Sequence, residues 1–138
     1  MKKAIFLSIK PQYCKLIESQ KKVNEFRTFI PKEEVEYFWI YESAPTSALK
    51  YIAKVSKPIS YPNKIAVIGD GDDRFNMGLT KYKYAYTIES LYKLATPLSL
   101  NFLRKEFNFY PPQGYSYLRT YSDLVEYVDE KIPLKKVF

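Results

Sequence analysis

The chain has 138 residues, a length that fits one domain, and 46% of them are apolar, which excludes disorder. It contains no histidine, one cysteine and no apolar run near membrane-span length; this excludes Ser-His-Asp chemistry, the usual zinc sites, an internal disulfide and a spanning helix. The net charge is +7, with 17% aromatic residues and 14 tyrosines, a balance that suits nucleic acid, whose phosphates meet cations and whose bases stack on rings.

Met1-Lys2-Lys3 is basic, but Ala4–Ile9 is too short for the apolar core of a signal peptide, and the single cysteine suits a reducing compartment, so a cytoplasmic protein is expected. Lys3–Ile9 reads as a strand, with Ala4, Phe6 and Ser8 on one face and Ile5, Leu7 and Ile9 on the other. Two apolar faces predict a central position. Pro11 opens a helix over 11–19, in which Cys14 packs.

Residues 22–30 are expected to be extended, with Val23, Glu25, Arg27 and Phe29 on one face and Lys22, Asn24, Phe26 and Ile30 on the other. Glu25 and Arg27 then stand side by side, about 7 Å apart. An Arg oriented by a carboxylate can offer donors to a planar or anionic ligand; the alternative is a surface ion pair. Pro31 ends this strand and starts a helical turn through 32–35.

Glu36–Glu42 is a second central strand, and Ser43-Ala44-Pro45-Thr46 a turn. In Ser47–Ser56, Leu49, Tyr51, Ala53 and Val55 point inward and Lys50, Lys54 and Ser56 outward. Residues 57–80 form the least regular part. Asn63–Ile68 reads as a short helix or strand, and Gly69-Asp70-Gly71-Asp72-Asp73 as a flexible turn without the oxygen spacing of a calcium loop. Lys81–Leu94 alternates as a long strand or two. Thr96-Pro97 opens a helix to about Phe107, the 111–115 turn presents Gln113 and Tyr115, and Tyr117-Leu118 is a short strand. Thr120 with Asp123 resembles a capping box before a last helix, and apolar residues tie down the tail 131–138. No repeat or linker interrupts this order, which argues an α+β fold built as a small mixed β-barrel flanked by short helices.

Four pieces then line up: Leu7-Ser8-Ile9-Lys10-Pro11, Lys22-x-x-Glu25-x-Arg27, Tyr41-Glu42-Ser43-Ala44-Pro45, and Pro111-Pro112-Gln113 with Tyr115 and Tyr117. Together they resemble the ASCH domain family of the PUA-like superfamily, over about residues 4–118 of a single 1–138 domain. The resemblance implies a pseudo-barrel with a cleft lined by the first helix N-terminus, the Lys-x-x-Glu-x-Arg strand and the Tyr-x-Ser-x-Pro turn. It implies binding of RNA or a modified nucleotide and a regulatory role, with DNA as a further possibility, and no cofactor or metal. Some small members of the family deacetylate an acetylated cytidine with a Lys and a Thr three residues later; here Lys22 stands at the first position and Glu25 at the second. Gln20 replaces the glycine usual before the lysine pair.

The ligand-binding residues expected on this basis are Ser8, Lys10, Lys22, Glu25, Arg27, Tyr41, Ser43 and Gln113. The helix N-terminus and the lysines meet a phosphate, Tyr41 or Trp39 stacks a base, and Ser43 and Gln113 read base edges. On this reading, Ala at Lys22 or Arg27 abolishes binding and leaves the melting temperature unchanged. Two alternatives stand beside it. One is a hydrolase on RNA or a modified nucleoside, with Glu25 as general base and Lys22 as its partner. The other is a protein-interaction module that uses the tyrosine-rich surface.

Overall fold

The computed structural model describes residues 3–138; Met1 and Lys2, where the basic N-terminal start was read, lie outside the described residues. The first strand, β1 (Ala4–Ile9), is buried on both faces, as its two apolar rows require. It pairs in parallel with β3 (Tyr37–Glu42), Ala4 facing Tyr37 and Ile9 facing Glu42. A parallel pair needs a crossover. That crossover contains α1 (Pro11–Glu18) and β2 (Asn24–Arg27). β4 (Ala48–Val55) follows β3 antiparallel, and β6 (Tyr84–Ser99) pairs with both β4 and β2. The short β5 (Ile59–Ser60) and β8 (Leu134–Lys136) also add to β6, and β7 (Ser116–Tyr117) closes against β1. The result is a mixed sheet curled into a half-barrel, in the order β2-β6-β4-β3-β1-β7.

Each sheet face carries its own core. Ile5, Leu7 and Ile9 pack with Cys14 and Ile17 of α1 and with Tyr51, Ala53 and Tyr86. Phe6, Trp39, Leu49 and Leu98 pack on the other side with Leu103 of α3 (Leu100–Phe107) and with Leu124 and Val128 of α4 (Ser122–Lys131). Phe6 is central there, edge-on to Trp39 and Phe109 at 5.7 and 5.3 Å. The tail is tied down as expected: Val137 donates to the Leu91 carbonyl at 2.8 Å, and Phe138 packs on the first core.

Several local expectations are corrected. The strand predicted over 22–30 is ordered as a ladder only from Asn24 to Arg27, because its partner β6 begins at Tyr84, opposite Arg27. Residues 32–35 form no helical turn; the chain arrives extended so that Glu36 and Tyr37 can both donate to the Lys3 carbonyl. In β4 the register shifts around Lys50, so Leu49 and Ile52 serve one core and Tyr51, Ala53 and Val55 the other; Lys54 points to solvent as expected, whereas Lys50 is half-buried against Glu42. Asn63–Ile68 is irregular, and the glycine-rich turn leads into a one-turn helix, α2 (Asp72–Asn76). Thr96-Pro97 does not open α3. Pro97 lies in β6 at the register gap opposite Lys50, where no ladder N–H is needed, and Ser99 caps α3 by accepting from the Phe102 N–H at 3.2 Å. Thr120 falls in the 3-10 turn Leu118–Tyr121 and caps nothing. Among the described residues, no helix is long and apolar enough to cross a membrane.

Candidate functional site

The β2 ladder sets Glu25 opposite Tyr86 and Arg27 opposite Tyr84, on one side of the strand. Glu25 accepts from Arg27 Nη2 at 2.7 Å, and the same nitrogen reaches the Ser8 carbonyl at 3.2 Å. Arg27 Nε is buried without a hydrogen-bond partner. Lys22 lies just before the strand, where its N–H donates to the Leu16 carbonyl behind the C-terminus of α1. The reversal that brings it there passes through Gln20 at φ +61°, a left-handed geometry that favours glycine.

The Lys22 ammonium stands 3.8 Å from Glu25, 4.4 Å from the Phe26 ring centre and 5.7 Å from that of Tyr13. It is only 6% exposed. Burial pushes its pKa below the ordinary lysine value, against the opposing pull of Glu25, Asp70 and Asp72.

The 69–80 segment forms the opposite wall. Asp72, fully buried, accepts from Asn24 Nδ2 at 2.9 Å and from the Ile68 and Gly69 N–H groups at 3.1 and 2.9 Å. Asp70 N–H donates to the Lys21 carbonyl at 2.8 Å. This approach needs Gly69: a Cβ there would sit 2.8 Å from the Lys21 oxygen. The supposed flexible turn is thus fastened to Lys21 and Asn24 through Asp70 and Asp72, and the Asp72 carboxylate is occupied by protein donors.

Between these walls lies a small cavity of about 130 Å³, lined by Tyr13, Lys22, Glu25, Phe26, Asp70 and Tyr82, with Gly71, Arg74 and Thr80 at its edge. Phe26 stacks on Phe75 at 5.4 Å and on Tyr82 at 6.5 Å. Drug-sized ligands occupy roughly 300–1,000 Å³, so this space admits a single ring rather than a whole nucleotide. Its charges are mixed: Lys22 and Arg74 face Glu25 and Asp70. A larger concavity of about 660 Å³ runs along α4, but Glu126, Asp129 and Glu130 line it, which opposes a phosphate.

Of the residues predicted from sequence, Lys22, Glu25, Arg27 and Ser8 form one contiguous chain of contacts. The Ser8 hydroxyl donates to the Pro112 carbonyl at 2.7 Å, and Gln113 beside it is exposed. Lys10 is exposed at the N-terminus of α1, and Ser43 donates its N–H to the Ile9 carbonyl at 3.0 Å. Tyr41 and Trp39 are buried in the second core, away from solvent. Tyr13, Asp70, Arg74 and Tyr82 were missed. Tyr13 has the helical spacing of a core position, yet it is 38% exposed at the cavity mouth. Three glycines within 69–78 were the available sign that this backbone must approach another closely.

A second polar group lies on the far side of α1. Glu42 accepts from Thr46 Oγ1 and from Lys50 at 3.1 Å, and Glu18 accepts from Tyr51 at 2.5 Å and Lys93 at 3.2 Å. The Tyr51 hydroxyl holds the Glu18 carboxyl below its usual range. Burial, with Glu42 nearby, pushes the Cys14 thiol up, so it remains a protonated packing residue.

No family model matches the chain, and no curated protein matches it. Solved structures do. ASCH from Zymomonas mobilis superposes with a TM-score of 0.70 at 23% identity, over 95% of this chain and 96% of that one. A tyrosine-to-phenylalanine mutant of that protein gives 0.70 at 22% identity, over 96% and 100%. A serine-to-alanine mutant gives 0.66 at 24%, over 91% and 96%. The resemblance read from sequence is borne out in the fold: this chain shares the fold of the Zymomonas mobilis ASCH structures.

Proposed function

We propose that this chain, built on the ASCH fold, is a binding module for single-stranded RNA or a modified nucleotide, with a regulatory rather than a metabolic role. One heterocyclic ring enters the cavity between Tyr13, Phe26 and Tyr82. Glu25 and Asp70 accept hydrogen bonds from its edge, and Lys22 donates. The flanking phosphates stay outside, near the exposed Lys21 and Lys81. The observation that carries this reading is the buried Lys22–Glu25–Arg27 chain opening into a space one ring wide and walled by aromatics.

The experiment is fluorescence anisotropy with a labelled RNA oligonucleotide across a salt series. Tyr82→Ala and Lys81→Glu change exposed side chains, so their folding is expected to be preserved. Both should weaken binding, and Lys81→Glu should also flatten the salt dependence. Unchanged affinity in both variants refutes the cavity as the site.

A hydrolase on RNA or a modified nucleoside is the second reading, favoured by the lowered pKa of Lys22 beside Glu25. Incubating RNA and acetylated cytidine with the wild type and with Glu25→Gln tests it. No product from the wild type ends it.

A further inference from the structure

We infer that a single-stranded nucleic acid bound at the cavity continues over a second, stacking surface made by Phe29, Tyr115, Tyr117 and Arg119. This rests on the nucleotide-binding reading above and says where the rest of the strand lies.

The four side chains form an unbroken row. Phe29 and Tyr115 stack with ring centres 5.0 Å apart and planes inclined by 27°. Tyr115 meets Tyr117 edge-on at 5.4 Å, and the Arg119 guanidinium lies 4.3 Å over the Tyr117 ring. The row begins just past Arg27, on the backbone that leaves β2. Its other half is fastened to β1: Ser8 binds the Pro112 carbonyl, and Tyr117 pairs with Ile5. The same two strands that position Arg27 therefore position the row.

Each ring is half-buried. Phe29, Tyr115 and Tyr117 pack against the first core and keep part of their surface accessible. Arg119, 56% exposed, is held flat by two bonds to Glu33 at 2.8 and 2.7 Å, and the Glu33 N–H donates to the Tyr117 hydroxyl at 3.4 Å. A plane fixed in advance loses little conformational freedom when a base lies on it. Rings and guanidinium planes accept any base, since every base has a π-face. Arg119 acts here as a plane and not as a phosphate contact, since Glu33 offsets its charge and Glu126, Asp129 and Glu130 line the concavity it borders, so the phosphates of the strand face away from α4; the exposed Gln113 adds amide donors and acceptors.

The test compares two probes, an oligouridylate of about ten nucleotides, within the usual span of single-strand sites, and uridine monophosphate. The wild type should bind the oligonucleotide more tightly than the mononucleotide. Tyr115→Leu, Tyr117→Leu and Arg119→Ala should each weaken the oligonucleotide by about tenfold, the effect of losing one stacked base. Mononucleotide affinity should not move in any of the three, the slope against salt should not move in the two tyrosine variants, and Tyr117→Phe, which keeps the ring, should bind like wild type. Unchanged oligonucleotide affinity in all three variants overturns the inference. So does a wild type that binds both probes equally, and in either case the cavity reading stands. A wild type that binds neither probe overturns both.

Discussion

Glu25 holds the Arg27 guanidinium at 2.7 Å with both side chains largely removed from water, at 9% and 13% exposure. Read from sequence, Lys22 and Arg27 are exposed donors whose removal leaves stability untouched. Their burial reverses that expectation. Removing one member of a buried ion pair leaves the other charge uncompensated, at a cost of about 3–5 kcal/mol. Glu25→Ala, which strands both Arg27 and Lys22, should lose stability in that range in urea unfolding. A loss below about 1 kcal/mol, the level of a surface pair, would show that the pair is solvated in solution.

The lowered pKa of Lys22 sets a pH dependence. The folded state holds the Lys22 proton less tightly than the unfolded chain does, so the unfolded chain binds more protons as pH rises through the folded pKa toward the ordinary 10.5. Stability from this group therefore increases with pH across that window. The difference in unfolding free energy between wild type and Lys22→Met should shift toward the wild type from pH 7 to pH 10. Measurement stops there, because burial raises the hydroxyl pKa of Tyr51 and of Tyr86, the latter to about 12. These two groups destabilise the fold once the unfolded tyrosines ionise. A difference that stays flat with pH contradicts a lowered pKa.

Asp72 ties the 69–80 segment to β2 through the hydrogen bond it accepts from Asn24, and orders its own turn through those from the Ile68 and Gly69 N–H groups. Asp72→Ala leaves those donors without a partner in a fully buried place, at about 1–3 kcal/mol for each group left unsatisfied. The loss should appear first as local opening. Limited proteolysis should cut the variant within 61–80 while the sheet stays intact, and Asp72→Asn should resist better. Equal cleavage of wild type and Asp72→Ala would remove this role.

Gly69→Ala puts a methyl group 2.8 Å from the Lys21 carbonyl and 3.1 Å from the Val23 nitrogen, both rigid backbone atoms. Overpacking of this kind costs about 1–3 kcal/mol. It should also move the Asp70 wall of the cavity, so thermal melting and RNA binding should fall together. A variant with the melting temperature of wild type would mean that the segment shifts freely against the Lys21–Val23 backbone.

How far the chain could be read in advance divides along the range of the interactions. Strands β1 and β3, the helix opening at Pro11 and the docking of the tail were legible because each follows from an apolar period or a proline within a few residues. The pairing of Glu25 with Arg27 was legible for the same reason, since alternate residues of a strand share a face. The rest depended on partners far along the chain. Pro97 stays in a strand because β4 leaves a gap opposite it, and Lys50 leaves the solvent because Glu42 is buried beside it. Tyr13 has the spacing of a core position but becomes a partly exposed cavity wall because residues from 70–82 supply the facing wall. A local pattern says which way a side chain points, but only the folded contacts say whether water or another segment of the chain lies there.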